Sequence, residues 1–494
     1  MENTGRIKHY ILPEISDILY NTESEEALIR ELDTTTKINK AHVLMLAECE
    51  CITEGDADRL LRAIRAIESE RYADVLRQPM RRGLYLAYES VVIERIGLDI
   101  GGLLQYGRSR NDLKATVLKI QLREPLIELY HRLIEFIELL LEKSSEYNRI
   151  IMPAYTHYQP AVPITYGHYL MGAAHCFSRS MEHLEVILDE LGSCPLGAGA
   201  VGGTTVCIDS NRTANLLGFD AGVSNSVDAV ASRDYVIRIL AELTVLDCNI
   251  TRICEDLLLW TSSDFKFIDM PDCMVGGSSM MPNKRNVFVL ENIRGRAAAS
   301  SGAFIAAVNA MSGAPFSNSI AVGTEGVSCV WKPLKCCAEN IFLLSCVIRH
   351  GIPNKAAMHE RAAQGYTLAT EQANFIVRNT THSFRDAHQI IGDMITCSEM
   401  NNRDYAAAFS GWVRQHFGYT PPAGITEINE SFLEVANYGG GPGIDSWNIQ
   451  NNRMMTMVSS SKERLNARIE KYTDAEQRLD DAVARFLERS VTND

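Results

Sequence analysis

The sequence predicts an all-α chain in three regions, organised around a central bundle of five long helices, and three observations lead there. Apolar residues recur at helical spacing over stretches far longer than an ordinary globular helix, and alternating, strand-like segments between them are few. The 494 residues also exceed the size at which one hydrophobic core keeps growing. The regions are drawn at 1–107, 108–355 and 356–494, the middle one holding the bundle.

In the first region, Ala41 to Ile67 reads as a helical pair turned at Thr53-Glu54-Gly55-Asp56. The bundle opens with Leu113 to Lys143, where Leu118, Leu122, Leu126, Leu129, Leu133, Phe136 and Leu140 mark one face and Pro125 is placed to kink it. Ile164 to Leu191, Ser226 to Trp260, Val287 to Met311 and Glu325 to Arg349 continue the pattern. Such faces must pack on one another or on other copies of the chain, so an oligomeric bundle is expected. Residues 354–377 and 383–400 read as further helices. Pro/Gly-rich segments at 420–424 and 439–443 follow, and a charged helix from about Met457 closes what reads as a separate tail.

Composition excludes several function classes. The formal charge is −14, from 48 Lys and Arg against 62 Asp and Glu, and no basic run offers a surface to nucleic acid or anionic membrane. The opening Met1-Glu2-Asn3-Thr4-Gly5-Arg6 lacks a basic region followed by an apolar core, and no window approaches an uncharged membrane span. A cytoplasmic protein is expected. The 13 cysteines are thinly spread and odd in number, and Cys248, Cys254, Cys336 and Cys337 sit in apolar surroundings, so they read as buried thiols. Cys49-Glu50-Cys51 has no second Cys/His pair at zinc spacing, and no metal is assigned to it. The stretch from Leu196 to Gly203 precedes no strand–helix–strand alternation and reads as a close-packed connection, not a phosphate loop.

Chemistry concentrates in polar clusters that interrupt the apolar pattern. Gly276-Gly277-Ser278-Ser279-Met280-Met281-Pro282-Asn283-Lys284-Arg285-Asn286 opens on two glycines, so it can bend sharply and close over a ligand. It presents two hydroxyls, a cation and an amide to an anionic substrate, although an ordinary Gly/Ser loop before a helix would look similar. Gly107-Arg108-Ser109-Arg110-Asn111-Asp112 sits at the entrance to the first long helix, where free N–H groups favour an anion and arginine adds a two-pronged carboxylate donor. Tyr155-Thr156-His157-Tyr158-Gln159-Pro160 reads as another helix entrance, and Ser226 to Asp234 as a third.

These segments resemble those of the fumarase/aspartase superfamily, and within it argininosuccinate lyase. The 277–286 loop is similar to the family's mobile loop. Gly107–Asp112, Met152–Gln159, Gly218–Asp220, Asn225–Val230, Glu255–Leu257, Ile293–Gly295 and Phe384–His388 match further segments in the same order, over about Ala41 to Gly392. The resemblance implies a homotetramer with a twenty-helix core and active sites each shared by three subunits. It implies elimination of fumarate from an N-substituted aspartate, with fumarate and an amine as small-molecule partners and no cofactor. By resemblance, Ser278 is the base that removes the Cβ proton, and Lys284 and Asn286 hold the carboxylate whose charge grows in the transition state. His157, paired with Glu291, is a further acid–base group. Arg110, Asn111 and Thr156 would grip the fumarate portion, with Ser24, Ser109 and Ser279 adding hydroxyls.

Departures from the family pattern are as informative. Val287-Phe288 replaces Pro-Asp after the loop's asparagine, and Ser319, Thr324 and Val327 stand where argininosuccinate lyases carry Tyr, Gln and Lys. The fumarate half of the site is therefore expected to be kept and the amine half rewritten. The substrate expected is not argininosuccinate but another N-substituted aspartate, as for ethylenediamine-disuccinate lyase. The alternatives are a true argininosuccinate lyase and, from another class, a crystallin-like structural tetramer without activity.

Overall fold

A computed structural model of the chain describes residues 11–20, 24–78 and 83–493, the last four by backbone alone; Met1–Arg6 lies outside them. The first region contains α1 (Pro13–Tyr20), α2 (Glu25–Glu48), α3 (Glu54–Ser69), α4 (Ala73–Arg77), α5 (Leu84–Ile96) and α6 (Leu98–Gly101). The helix expected from Ala41 starts instead at Glu25, because the Ser24 hydroxyl caps it by accepting from Ala27 N at 3.3 Å. Its β-branched run, Thr34-Thr35-Thr36, is a weak helix former that packing retains. All three are buried, and the Thr36 hydroxyl donates to that of Tyr88 on α5 at 3.1 Å.

The bundle begins with α7 (Arg110–Glu146), which runs unbroken through Pro125. Leu122, Leu126, Leu129, Leu133 and Phe136 are fully buried along it, each worth about 1.5–3 kcal/mol relative to exposure. An antiparallel hairpin follows, β1 (Ile151–Thr156) and β2 (Gln159–Thr165), and then α8 (Tyr166–Glu190). His157 and Tyr158 form the hairpin tip with φ of 53° and 62°, so His157 is at a turn and not at the helix entrance expected for it. Next come α9 (Ser210–Leu216), α10 (Ser226–Ala231), α11 (Asp234–Thr261), β3 (Ile268–Asp269), α12 (Phe288–Met311), α13 (Gly326–Ser328), α14 (Trp331–His350) and β4 (Ile352–Pro353), with β4 pairing antiparallel to β3.

Two expected helices are thus divided. Ser226 to Trp260 breaks into α10 and α11 at Ser232-Arg233, where the buried Arg233 turns its Nη1 onto the Ser232 carbonyl at 2.6 Å instead of facing water. Glu325 to Arg349 breaks at Cys329-Val330; the Ala321–Glu325 segment before it is a π turn, and Gly326 lies tight on α12. A Cβ at Gly326 would stand 2.7 Å from the Met311 side chain. Inside the bundle, the buried Asp247 of α11 accepts from Ser300 Oγ of α12 at 2.5 Å and from Asn340 Nδ2 of α14 at 3.1 Å, a polar tie across three helices.

The last region contains α15 (Lys355–Gln364), α16 (Ala369–Asn379), α17 (Phe384–Met400), α18 (Tyr405–Phe417), α19 (Ala423–Thr426), α20 (Ser431–Val435) and α21 (Ile444–Asn493). The closing helix starts at Ile444, well before Met457, because its polar first turns are anchored: Trp447 Nε1 donates to Ser144 Oγ of α7 at 2.7 Å. It is also not confined to a tail. Trp447, Met454, Val458 and Leu465 join the bundle core, and Leu479, Val483 and Leu487 join the core of the first region. All 13 cysteines are free, but of them only Cys194, Cys254 and Cys337 are buried as expected: Cys207, Cys248, Cys273 and Cys397 are exposed and Cys336 is half-buried, because apolar neighbours in sequence do not fix which face of a helix a residue takes. Among the described residues, no helix is long and apolar enough to cross a membrane.

Candidate active site

The chemistry-bearing side chains collect at the two ends of the bundle. At the end where α7 stops and α12 starts, the loop from Gly277 to Arg285 is pinched at its neck. Gly276 N donates to Asn286 O and Asn286 N to Gly276 O, both at 2.8 Å. A Cβ at 276 would crowd the Phe288 ring at 3.2 Å, so a larger residue there would have to push that ring aside. Arg285 fixes the neck further by donating to Met270 O at 2.7 Å and pairing with Asp272. Beyond the neck, Ser279 and Lys284 are exposed. Ser278 Oγ accepts from Met281 N at 3.0 Å and Met280 N at 3.3 Å, so two backbone donors face this oxygen and would stabilise any negative charge on it.

The hairpin projects at this same end. Its Tyr155 packs against Phe265 and Phe267, with ring centroids 5.7 and 6.4 Å away, in the segment leading from α11 through β3 to the loop. Thr156 and His157 are exposed at the tip, and Glu291 is exposed in the first turn of α12. Among the described residues, no hydrogen bond or ion pair joins His157 to Glu291 within the chain. One turn further along α12, Arg294 pairs with Glu255 of α11 at 2.9 Å, which holds the two helix ends together beneath the loop.

At the opposite end, Ser109 caps α7, accepting from Asn111 N at 3.3 Å, and Asp112 closes the capping box on Ser109 N at 2.9 Å. Asn111 Nδ2 reaches the Ala200 carbonyl at 3.4 Å, and Arg110 is exposed beside it. Burial pushes the Asp112 carboxyl above its ordinary range, against the opposing pull of the N–H groups of Ser109, Gly197 and Gly199. Nearby, burial lowers the Lys119 ammonium to about 8, where it donates to the carbonyls of Glu190 and Ser193 at the end of α8. Ser319 and Thr324 lie beyond the far end of α12, in and before the π turn. Ser24 is set apart on α2, fifteen residues and about 22 Å of helix before Asn39, whose Oδ1 accepts from Arg108 Nη2 at 2.6 Å.

The fold of one chain therefore separates what the sequence grouped. Arg110 and Glu146 bound a 37-residue helix, about 55 Å long, so Arg110 and Asn111 lie far from the hairpin that follows its other end. Phe288 and Met311 bound 24 residues, about 36 Å, so Ser319 and Thr324 are likewise remote from Ser278, Lys284 and Glu291. Asp112 and Arg285 stand inside the polar clusters, and their structural parts, capping α7 and fixing the loop's neck, are not apparent from the residue types of the clusters alone. The Ser-x-x-Asp spacing at 109–112 is a capping signal that could have marked Asp112.

Comparison with known proteins agrees with this architecture. Residues 16–302 match the model of a family described as "Lyase". The argininosuccinate lyase of Anoxybacillus flavithermus is 33% identical over 363 residues, covering 73% of this chain and 78% of that relative. The chain belongs to the lyase family of the argininosuccinate lyases. As a member it is an argininosuccinate lyase-like carbon–nitrogen lyase of the fumarase/aspartase superfamily. The argininosuccinate lyase of Methanospirillum hungatei is 30% identical over 440 residues, covering 86% of this chain and 88% of that relative. Among solved structures, EDDS lyase in complex with formate superposes with a TM-score of 0.82 at 24% identity, over 97% of this chain and 99% of that one. A class II fumarase from Schistosoma mansoni gives 0.65 at 16% identity, over 77% and 86%. The fold of this lyase is thus that of the superfamily.

Proposed function

We propose that this lyase eliminates fumarate from an N-substituted aspartate other than argininosuccinate, in active sites that three subunits of a homotetramer share. The separation of Arg110 from the hairpin and loop carries the reading. Residues that must contact one small dicarboxylate cannot lie at opposite ends of a helix about 55 Å long unless another copy brings the second set. Exposed Val186, Val245, Ile305 and Phe342 on α8, α11, α12 and α14 support association, since they put large apolar side chains on the outer faces of the bundle.

In the assembled site, Ser278 takes the Cβ proton while Lys284 and Asn286 hold the carboxylate on which charge accumulates. Arg110, Asn111 and Thr156 grip the fumarate portion, aided by Ser109 and Ser279, while Ser24, set apart on its own chain, would have to come from another copy. His157 and Glu291 meet across a subunit boundary, and together they manage a proton for the departing amine. The amine half lies against Ser319 and Thr324, with Phe316 and Ile320 exposed beside them. That surroundings is short of donors for a second amino-acid carboxylate, and each missing charged hydrogen bond costs about 1.5–3 kcal/mol.

A true argininosuccinate lyase is the second reading, favoured by the names of the relatives that are 30–33% identical. Absorbance at the fumarate band, read over a panel of N-substituted aspartates that includes argininosuccinate, separates the two. The expected result is fumarate release from another member of the panel. A kcat/KM for argininosuccinate of about 10⁴ M⁻¹s⁻¹ or more would favour the second reading instead.

A further inference from the structure

We propose that Asp112 is a positioning residue that fuses the Ser109–Asn111 turn to the Gly-rich loop 196–203, making that loop the backing of the fumarate-gripping part of the active site. The inference rests on the assignment of Arg110 and Asn111 just proposed.

Asp112 is fully buried, and its two carboxylate oxygens do different things. Oδ1 accepts from Ser109 N at 2.9 Å, which completes the helix cap. Oδ2 accepts from Gly199 N at 2.8 Å and Gly197 N at 3.0 Å, donors that a helix cap does not require and that come from more than eighty residues along the chain. The loop is built to offer them. Gly197 and Gly199 have φ of +105° and +62°, and a Cβ on Gly199 would stand 2.5 Å from the Gly203 carbonyl, so only glycine lets both N–H groups turn inward.

Two further contacts fix the loop against its surroundings. Asn111 Nδ2 meets Ala200 O at 3.4 Å, and Ser226 Oγ at the start of α10 donates to Val201 O at 2.8 Å. Ala200, which meets Asn111, and Gly202 remain exposed. A carboxylate at 112 accepts all three N–H bonds at once. A carboxamide of the same shape has one acceptor oxygen, so its NH2 must face either Ser109 N or the loop, and one of the two segments loses its anchor.

The test uses the full-length protein with fumarate itself as the probe. By calorimetry, Asp112→Asn should raise the Kd for fumarate about tenfold or more, the loss expected when a charged hydrogen-bond acceptor is removed. In the cleavage assay it should raise KM more than it lowers kcat, because Asp112 touches no reacting atom. Hydrogen exchange on the unaltered protein gives an independent reading: fumarate should slow exchange across 196–203 together with 109–113. Fumarate binding by Asp112→Asn equal to the wild type overturns the inference alone, as does protection confined to 109–113. Should Asp112→Asn fail to fold, the exchange measurement decides in the same two directions. A wild-type protein that binds no fumarate overturns the functional reading, and this inference with it.

Discussion

Replacing Ser278 by alanine removes the hydroxyl proposed as the base while leaving the loop's neck, the Gly276–Asn286 backbone pair and the Arg285 contacts, intact. The size of the problem that this hydroxyl faces can be worked out. Ionising a hydroxyl with the acidity of water at neutral pH costs about 12 kcal/mol. The N–H groups of Met280 and Met281, at 3.3 and 3.0 Å, each contribute about 1.5–3 kcal/mol to a charged oxygen, or about 3–6 kcal/mol together. About 6–9 kcal/mol remains, to be supplied by Lys284 and by closure of the loop over the substrate. Ser278→Ala should therefore lower kcat by about 10²- to 10⁴-fold with little change in KM, read as the rate of fumarate release. Lys284→Met should lower kcat by a comparable factor, and the double variant should be little worse than either alone, since both groups act on one proton transfer. Near-normal kcat in Ser278→Ala, with activity abolished in His157→Asn, would refute this assignment of roles.

Two further outcomes follow from the bundle. Light scattering at micromolar concentration should report a tetramer, and a stable, active monomer would sink the shared-site account. Burial raises the Asp247 carboxyl above its ordinary value, so its ionisation destabilises the fold: stability should fall as pH rises from the unfolded value through the raised one. Asp247→Asn should flatten that dependence in urea unfolding. Asp247→Leu should cost about 2–6 kcal/mol by leaving the Ser300 hydroxyl and Asn340 amide unpaired.

The five long helices were legible because each carries an apolar face sustained over many turns, and a periodic signal of that length has few competing explanations. Their interruptions were not. Apolar spacing continues through Ser232-Arg233, and only the buried turn of Arg233 onto its neighbour's carbonyl ends α10. The starts of α2 and α21 were missed for a related reason. Thr34–Thr36 and the polar residues after Ile444 weaken the local pattern, and contacts to Tyr88 and Ser144 from distant parts of the chain restore the helix. The hairpin was read as a lead-in to α8 because prolines and a histidine give no two-residue alternation across its turn. Site chemistry was legible as residue types in clusters, whereas their distribution between the two ends of the bundle depends on the length and direction of α7 and α12. The role of Asp112 was visible only in part: its spacing from Ser109 signals a cap, but nothing local announces that Gly197 and Gly199 will return to it.

The central claim is that one active site needs Arg110 from one subunit and Ser278 from another. Mixing Arg110→Ala and Ser278→Ala chains, dissociating them and letting them reassociate tests it most directly. Each variant alone should release almost no fumarate from the substrate identified on the panel, because every site lacks one of the two groups. Random mixed tetramers should recover up to about a quarter of wild-type activity, carried by sites that draw both intact residues from different chains. Mixed tetramers that form but remain inactive would contradict the account.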